Sequence, residues 1–523
     1  MRNINKFFMI ICSSILIVSC NDFLDEDARG VLSPENFFQN EQEAMLALNR
    51  LNKDFTEIGF TNFLGTDLGV VGRNRIAGLH HLGVYQYDVT HFRVTQEWEN
   101  NYSSIRNANL LLSRIGDAPL SEEVIGSTTA QALFFRAEKY LRLSVQIGDV
   151  PSVRDEVSAS NIESLSLLGS STVEDNLADA INDLDQAIES GYLSESSWAD
   201  NNGLPTVWAA RMLKAYCHIW LDQWVDARDE LREIVNNSPH VLHDDYADKY
   251  RGGNELHSEI IYGKQRLANV AGSGIAAFAH PNFAGEVSGR RFMDSLNIQY
   301  SVAAYTLRKS FADTYDDNDA RKIYNVMESG PVNDETIEFD WIYLPKLMRA
   351  PVPFSDPLLA ESESNFQSSA PIRIFLLADA YLLLAEAEFM AEGAVSTMAA
   401  LDPINEIRDR ANLPALSVLT IEDIQAERAW ELVGEGYWGR KKDLLRWGIL
   451  EDTVLGLPAA EIAAGVDQSS LAFTRAQDVA DVFANSPVSG RFEFLPIPFE
   501  VLQVSVDVGG DLTQNDAWID TIE

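Results

Sequence analysis

Apolar residues recur at helical spacing through most of this chain. Val173, Leu177, Ile181, Leu184 and Ile188 share one helix face, with Glu174, Asp175, Asp179 and Asp183 largely away from it. Ser171-x-x-Glu174 reads as a capping box that starts this helix. Similar periodicity predicts helices near 35–52, 97–115, 128–147, 205–222, 224–236, 298–315, 371–391, 397–411 and 421–433. Ile372 to Met390 is apolar almost all round, the pattern of a buried central helix. Arg373, Asp379, Glu386 and Glu388 within it argue against a membrane span. Between about 250 and 370 the pattern breaks, with Gly252-Gly253-Asn254, Gly272-Ser273-Gly274, Pro281-Asn282 and Pro351-x-Pro353 as punctuation. Residues 60–95 form a second, Gly-rich irregular stretch. Irregular segments on a helical scaffold are where binding residues concentrate. Leu495-Pro496-Ile497-Pro498 cannot be helix interior.

The start of the chain is patterned differently. Arg2 and Lys6 precede an apolar run from Phe7 to Val18, and Ile17-Val18-Ser19-Cys20 follows the bacterial lipobox pattern. The run is shorter than the roughly 20 residues of a spanning helix. The expectation is a signal peptide over 1–19, lipidation of Cys20, and an acidic solvated tether over 20–32 carrying Asp22, Asp25, Glu26 and Asp27. One folded domain is expected over 33–523: a helical part to 250, a loop-rich ligand-binding part over 251–370, and a helical part from 371.

Charge narrows the partners. Forty basic residues against 79 acidic give −39, a surface that repels nucleic-acid phosphates. Cys217 is the one cysteine beyond Cys12 and Cys20, so no internal disulfide is expected, and its helical context suits a small buried hydrophobe. Ala215, Trp224, Ala227, Leu231 and Pro239 fall at tetratricopeptide-like positions, but Lys214 and His218 depart from them, so degenerate helix pairs are expected. Zinc-protease, nucleophile-elbow and phosphate-loop motifs are missing, and no catalytic residue, metal or cofactor is assigned. Glu427 and Glu431 share a helix face as a glycosidase pair would, but ion pairing with Arg428 and nearby bases fits their motif better.

Ordered motifs carry a family resemblance. These are Trp98-x3-Tyr102-x2-Ile105-x3-Asn109, Phe135-Arg136-Ala137 with Gly148-Asp149-Val150-Pro151, and Asp316-Asp317-Asn318-Asp319-Ala320-Arg321. Asn405-x2-Arg408-x-Arg410-Ala411, Glu427-Arg428-x2-Glu431-Leu432-x2-Glu435-Gly436, Asp443-Leu444-x-Arg446-Trp447-Gly448, Leu495-Pro496-Ile497-Pro498 and Gln514-Asn515 follow. In this order they resemble the SusD/RagB family. Tyr437-Trp438-Gly439-Arg440 and Asp516-Ala517-Trp518 depart from it; Pro-Gly-Tyr commonly stands at the second. The resemblance implies a mainly α-helical protein in which four tetratricopeptide-like helix pairs support an irregular ligand-binding half. It implies a non-catalytic outer-membrane lipoprotein, facing the cell exterior, that passes an oligosaccharide or polysaccharide to a SusC-like TonB-dependent transporter. A RagB-like capture of oligopeptides is the alternative.

Sugar capture needs flat aromatic faces and planar polar groups. Trp98 and Asn101, three apart on one helix face, stand where the family can place a glycan site; the competing reading packs Trp98 in the core and leaves Asn101 to cap a turn. Arg73 and Asn74 in the Gly-rich loop could donate to hydroxyls. Tyr305, Trp341 and Tyr343, with Tyr300, are the candidate aromatics of the variable part, whereas Trp208, Trp220, Trp224, Trp430 and Trp447 sit in helical motifs suited to packing.

Overall fold

The computed structural model describes residues 38–54, 63–72, 79–250, 256–265, 287–295, 305–348 and 371–521. The signal peptide, Cys20 and the acidic tether therefore lie outside the described residues.

A stack of helices forms the scaffold. It begins with α1 (Glu41–Asp54), α2 (Phe92–Arg114), α3 (Glu122–Gln146), α4 (Val173–Glu189), α5 (Val207–Trp220) and α6 (Trp224–Asn237). After α7 (Val287–Ser295) it continues with α8 (Leu377–Ala391), α9 (Met398–Arg410) and α10 (Ile421–Leu432). Contacts run α2–α3, α3–α4, α4–α5, α5–α6, α6–α8 and α8–α9, so each helix packs on its neighbours in an unbroken series. Ala209, Ala210, Ala215, Ala227, Ala380 and Ala387 are fully buried in the main core, and their small side chains allow close approach. The α4 stripe packs as its spacing predicts, with Leu177, Ala180 and Leu184 buried, but its N-cap is Thr172, whose hydroxyl accepts from Asp175 N. Ser171 instead pairs with Val150 in an isolated β-bridge, so the cap lies one residue later than expected.

Two segments differ from the periodicity reading. Ile372–Leu376 is a strand that pairs with Ile260–Lys264, and α8 starts only at Leu377. Within 298–315 the described part is Thr306–Leu307 in a strand and a single helical turn, Lys309–Ala312. A sheet of order β1-β3-β5-β4 joins β1 (Gly69–Val70), β3 (Thr306–Leu307), β5 (Glu335–Tyr343) and β4 (Met327–Val332); Ile260–Lys264 and Ile372–Leu376 are β2 and β6 of a separate pair. The four-stranded sheet carries a second core of Phe63, Val70, Phe292, Tyr305, Phe311, Tyr315, Tyr343 and Val433. Beyond α11 (Gly439–Arg446) the hairpin α12 (Leu450–Ala463) and α13 (Leu471–Ala484) builds a third core with Tyr85, Tyr87, Phe492 and Trp518, followed by α14 (Phe499–Val508).

Helix α8 is buried almost all round, as expected. Its acids are paired: Asp379 with Arg428, Glu386 with Arg446 and Glu388 with Arg232. Among the described residues no helix is long and apolar enough to cross a membrane.

Candidate functional site

The sequence motifs resolve into fasteners. Tyr102 Oη donates to Pro151 O at 2.7 Å and Asn109 Nδ2 to Val153 O at 2.8 Å, clamping the post-α3 loop onto α2. Arg136 bridges Asn109 and the buried Asp183. Gln514 donates to Ile497 O and accepts from Ile497 N at 2.9 and 2.8 Å, and Asn515 Nδ2 donates to Leu495 O and Ile147 O. These bonds hold the Pro-rich segment, whose Pro residues lack an N–H, against the end of α3.

The acidic helix motif anchors a buried ion network. Glu427 meets Arg321 at 2.6 Å and Arg408 at 2.9 Å. Glu431 meets Arg410 at 2.6 Å, Lys249 at 2.9 Å and Arg321 at 3.3 Å. Glu435 meets Lys346 and Arg373 at 2.9 and 2.8 Å. Burial alone would raise Glu431 and Glu435, but the surrounding cations hold both well below the usual carboxylate range. A glycosidase acid needs the opposite shift. Asp319 of the acidic turn spends its carboxylate on Arg321. Cys217 is fully buried, and burial pushes its thiol up, away from nucleophilic use.

The first departure from the family pattern is absorbed by packing. Tyr437 and Trp438 are buried, with Trp438 4.5 Å from the Tyr216 ring, and Arg440 reaches Asp67 at 2.7 Å. At the second, Trp518 is buried and donates to Phe494 O at 3.1 Å, while Asp516 and Ala517 line a cleft.

The expected glycan contacts fall mostly inside the protein. Trp98 is 8% exposed and packs against Tyr102 at 4.7 Å. Asn101 is 2% exposed, and its amide donates to Glu97 O and Glu97 Oε1 at 2.6 and 3.2 Å. Burial would raise Glu97, but its ion pair with Arg142 brings it below the usual range. Tyr305, Trp341 and Tyr343 belong to the core beneath the four-stranded sheet, with Tyr343 fully buried. One or two of these rings, with Tyr300, are expected to form an aromatic platform; in this structure the three described ones are buried in packing positions. Arg73 and Asn74 lie outside the described residues, as does Tyr300. Trp208 is buried and Trp220, Trp224, Trp430 and Trp447 are partly so, in line with packing roles.

The exposed aromatic at this end of α2 is Phe92, in the first helical turn and 52% exposed. Arg93 lies 5.1 Å from its ring centroid and donates to Gln96 Oε1 at 2.9 Å; the His91 ring is 5.0 Å away. A second exposed ring, Phe499, leaves the same junction, since Phe499 N donates to Val89 O at 2.9 Å. Sequence reasoning passed over Phe92. The signal was its position off the apolar stripe of α2.

Residues 300–518 match the SusD family, and residues 70–216 match a family described as starch-binding associating with outer membrane. The two matches mark a SusD-like chain over both segments. It is 27% identical to SusD-like protein P25 of Formosa agariphila over 87% of this chain and 92% of that one. The SusD homolog of Bacteroides thetaiotaomicron superposes with a TM-score of 0.75 over 94% of this chain and 99% of its own, at 18% identity. Surface glycan-binding protein A of the same organism, solved with laminarihexaose, gives 0.68 over 91% of this chain and 99% of its own, at 17% identity. The mainly helical SusD-like fold expected of the chain is the fold observed.

Proposed function

We propose that this SusD-like protein is a non-catalytic surface lipoprotein that captures an oligosaccharide or polysaccharide and hands it to a SusC-like TonB-dependent transporter. The observation that carries this reading is the shared fold, along nine-tenths of the chain, with a surface glycan-binding protein solved with laminarihexaose. The description of the family matching residues 70–216 supports an outer-membrane setting. The lipobox ending at Cys20 supports a lipid anchor there, with 20–32 as the tether and the folded unit beginning near 33. The pairing of Glu427 and Glu431 with buried cations removes the one carboxylate pair that suggested hydrolysis. In this reading the glycan face lies at the N-terminal end of α2. Phe92 and Gln96 are its exposed groups, Arg93 is partly exposed beside them, and Trp98 and Asn101 are the support beneath.

Affinity electrophoresis of the purified protein across neutral and acidic polysaccharides tests it. One glycan class should retard the protein, and Phe92→Ala should abolish the retardation. Retardation by no glycan, together with binding of oligopeptides, would replace this reading by peptide capture.

A further inference from the structure

A cleft of about 480 Å³, sharing no lining residue with α2, lies between the α3–α4 connection and the C-terminal segment. Its volume lies in the roughly 300–1,000 Å³ range of small-ligand sites. Its lining residues include Phe494, the acids Asp149, Glu493 and Asp516, and Ser170 and Thr513. The frame is rigid. Leu495 N donates to Gln146 O at 2.7 Å, Trp518 Nε1 holds Phe494 O, and Gln514 and Asn515 are spent on backbone.

Phe494 is partly exposed, with the Lys442 ammonium 5.8 Å from its centroid. At Gly148, whose φ is +97°, a Cβ would meet the ring at 3.9 Å, an ordinary van der Waals contact, so the glycine answers to its backbone conformation and the ring packs beside it. An aromatic face beside hydroxyl acceptors is the chemistry that receives a pyranose: C–H groups meet the ring and hydroxyls donate to carboxylates.

The carboxylates do not form a cation cage. Among the described residues no group of three or more His, Cys, Asp or Glu is placed to hold a metal. Asp149 Oδ1 accepts from Val173 N at 2.9 Å, at the positive end of the α4 dipole. Burial first, and then Glu451, raises Glu493 above the usual carboxylate range against the pull of Lys441 and Lys442. Asp516 stands where the family commonly has Pro, so one acceptor is contributed by this chain's departure from the pattern.

We infer that this cleft is a second saccharide subsite, separate from the α2 face, taking one or two neutral pyranose residues on Phe494 with Asp149 and Asp516 as hydroxyl acceptors. The inference rests on reading the chain as a saccharide binder. The test is titration calorimetry with laminarihexaose, maltohexaose and cellohexaose on the wild type, Phe494→Ala and Asp516→Asn, with hydroxyl-radical footprinting of Phe494. The expected result is protection of Phe494 by a hexasaccharide, weakened about tenfold in affinity by Phe494→Ala. Asp516→Asn changes an exposed carboxylate without touching the core, and about a threefold loss is expected from one weakened hydrogen bond. Hexasaccharide binding that leaves Phe494 unprotected and both variants unaffected overturns the subsite while leaving glycan capture at α2 intact. Protection of Phe494 by spermidine but by no hexasaccharide also overturns it, in favour of a cationic occupant. No binding by the three hexasaccharides or by the polysaccharide panel overturns both readings together.

Discussion

Replacing Glu431 by Gln keeps the shape of a fully buried side chain and removes its charge. Three cations then lose a partner unequally. Arg410 keeps Glu259 at 2.7 Å, and Arg321 keeps Asp319 and Glu427. Lys249 keeps no carboxylate within ion-pair distance among the described residues, but retains the Tyr246 and Tyr250 rings at 4.1 and 5.6 Å. Breaking a buried pair by removing one partner costs about 3–5 kcal/mol. With an unfolding entropy of about 1 kcal/mol/K for a chain of this length, the melting temperature should fall by about 3–5 °C at pH 7. The pH dependence supplies a second check. Glu431 has a folded pKa well below its ordinary 4.5. Its stabilisation is therefore complete above that value and is lost as pH falls through the folded pKa. Scanning calorimetry of wild type and Glu431→Gln between pH 7 and 3 should show a constant gap down to about pH 5 and a narrowing gap below it. A loss under about 1 kcal/mol at pH 7, or a gap indifferent to pH, would refute the account of the network.

The other predictions concern packing and titration. Trp98→Ala should destabilise the fold by about 3–5 kcal/mol, and Trp98→Phe by much less, because the ring fills core space against Tyr102; denaturant unfolding reads both. Phe92→Ala should leave the same unfolding curve within about 0.5 kcal/mol, since its side chain is half exposed. His257 is buried, with neither ring nitrogen hydrogen-bonded among the described residues, and burial, then Arg373 and Lys249, depress its pKa well below 6.5. The unfolded state thus takes up a proton that the folded state refuses, and stability should fall as pH drops below 6.5; His257→Phe should flatten that slope in melts from pH 7 to 5. Gly65→Ala should cost more than about 1 kcal/mol, because φ is +75° and a Cβ would sit 2.5 Å from Gly83 O; an unchanged melting temperature would contradict the close crossing of these two segments.

The parts of this fold legible in the sequence were those where one physical signal dominated. The α4 stripe and the all-round apolarity of α8 come from burial with a 3.6-residue period, and both helices pack as that period demands. The C-terminal hairpin was not legible for the converse reason. In α12, Leu450, Val454 and Leu457 are buried while Leu455 and Ile462 are exposed, so no stripe stands out, and Pro458 inside the helix reads as a breaker. Ile372–Leu376 reads as part of α8 because a short apolar run has no period of its own, and only its partner β2, more than a hundred residues earlier, makes it a strand. The site shows the same limit from the other side. Choosing Trp98 and Asn101 relied on residue type and i, i+3 spacing, which establish a shared face but not its direction. The direction was nonetheless written in the helix: Val94, Trp98, Asn101, Ile105, Ala108 and Leu111 form one continuous buried stripe, and membership in it predicts that a Trp packs. Phe92 lies off that stripe and is exposed. An aromatic outside the apolar period of its own helix is therefore a better sequence guide to a solvent-facing ring than an aromatic within it. The Phe494 cleft shows where that guide stops: its walls come from segments more than three hundred residues apart, joined by Gln146, Asn515 and Trp518, and no local pattern encodes that meeting.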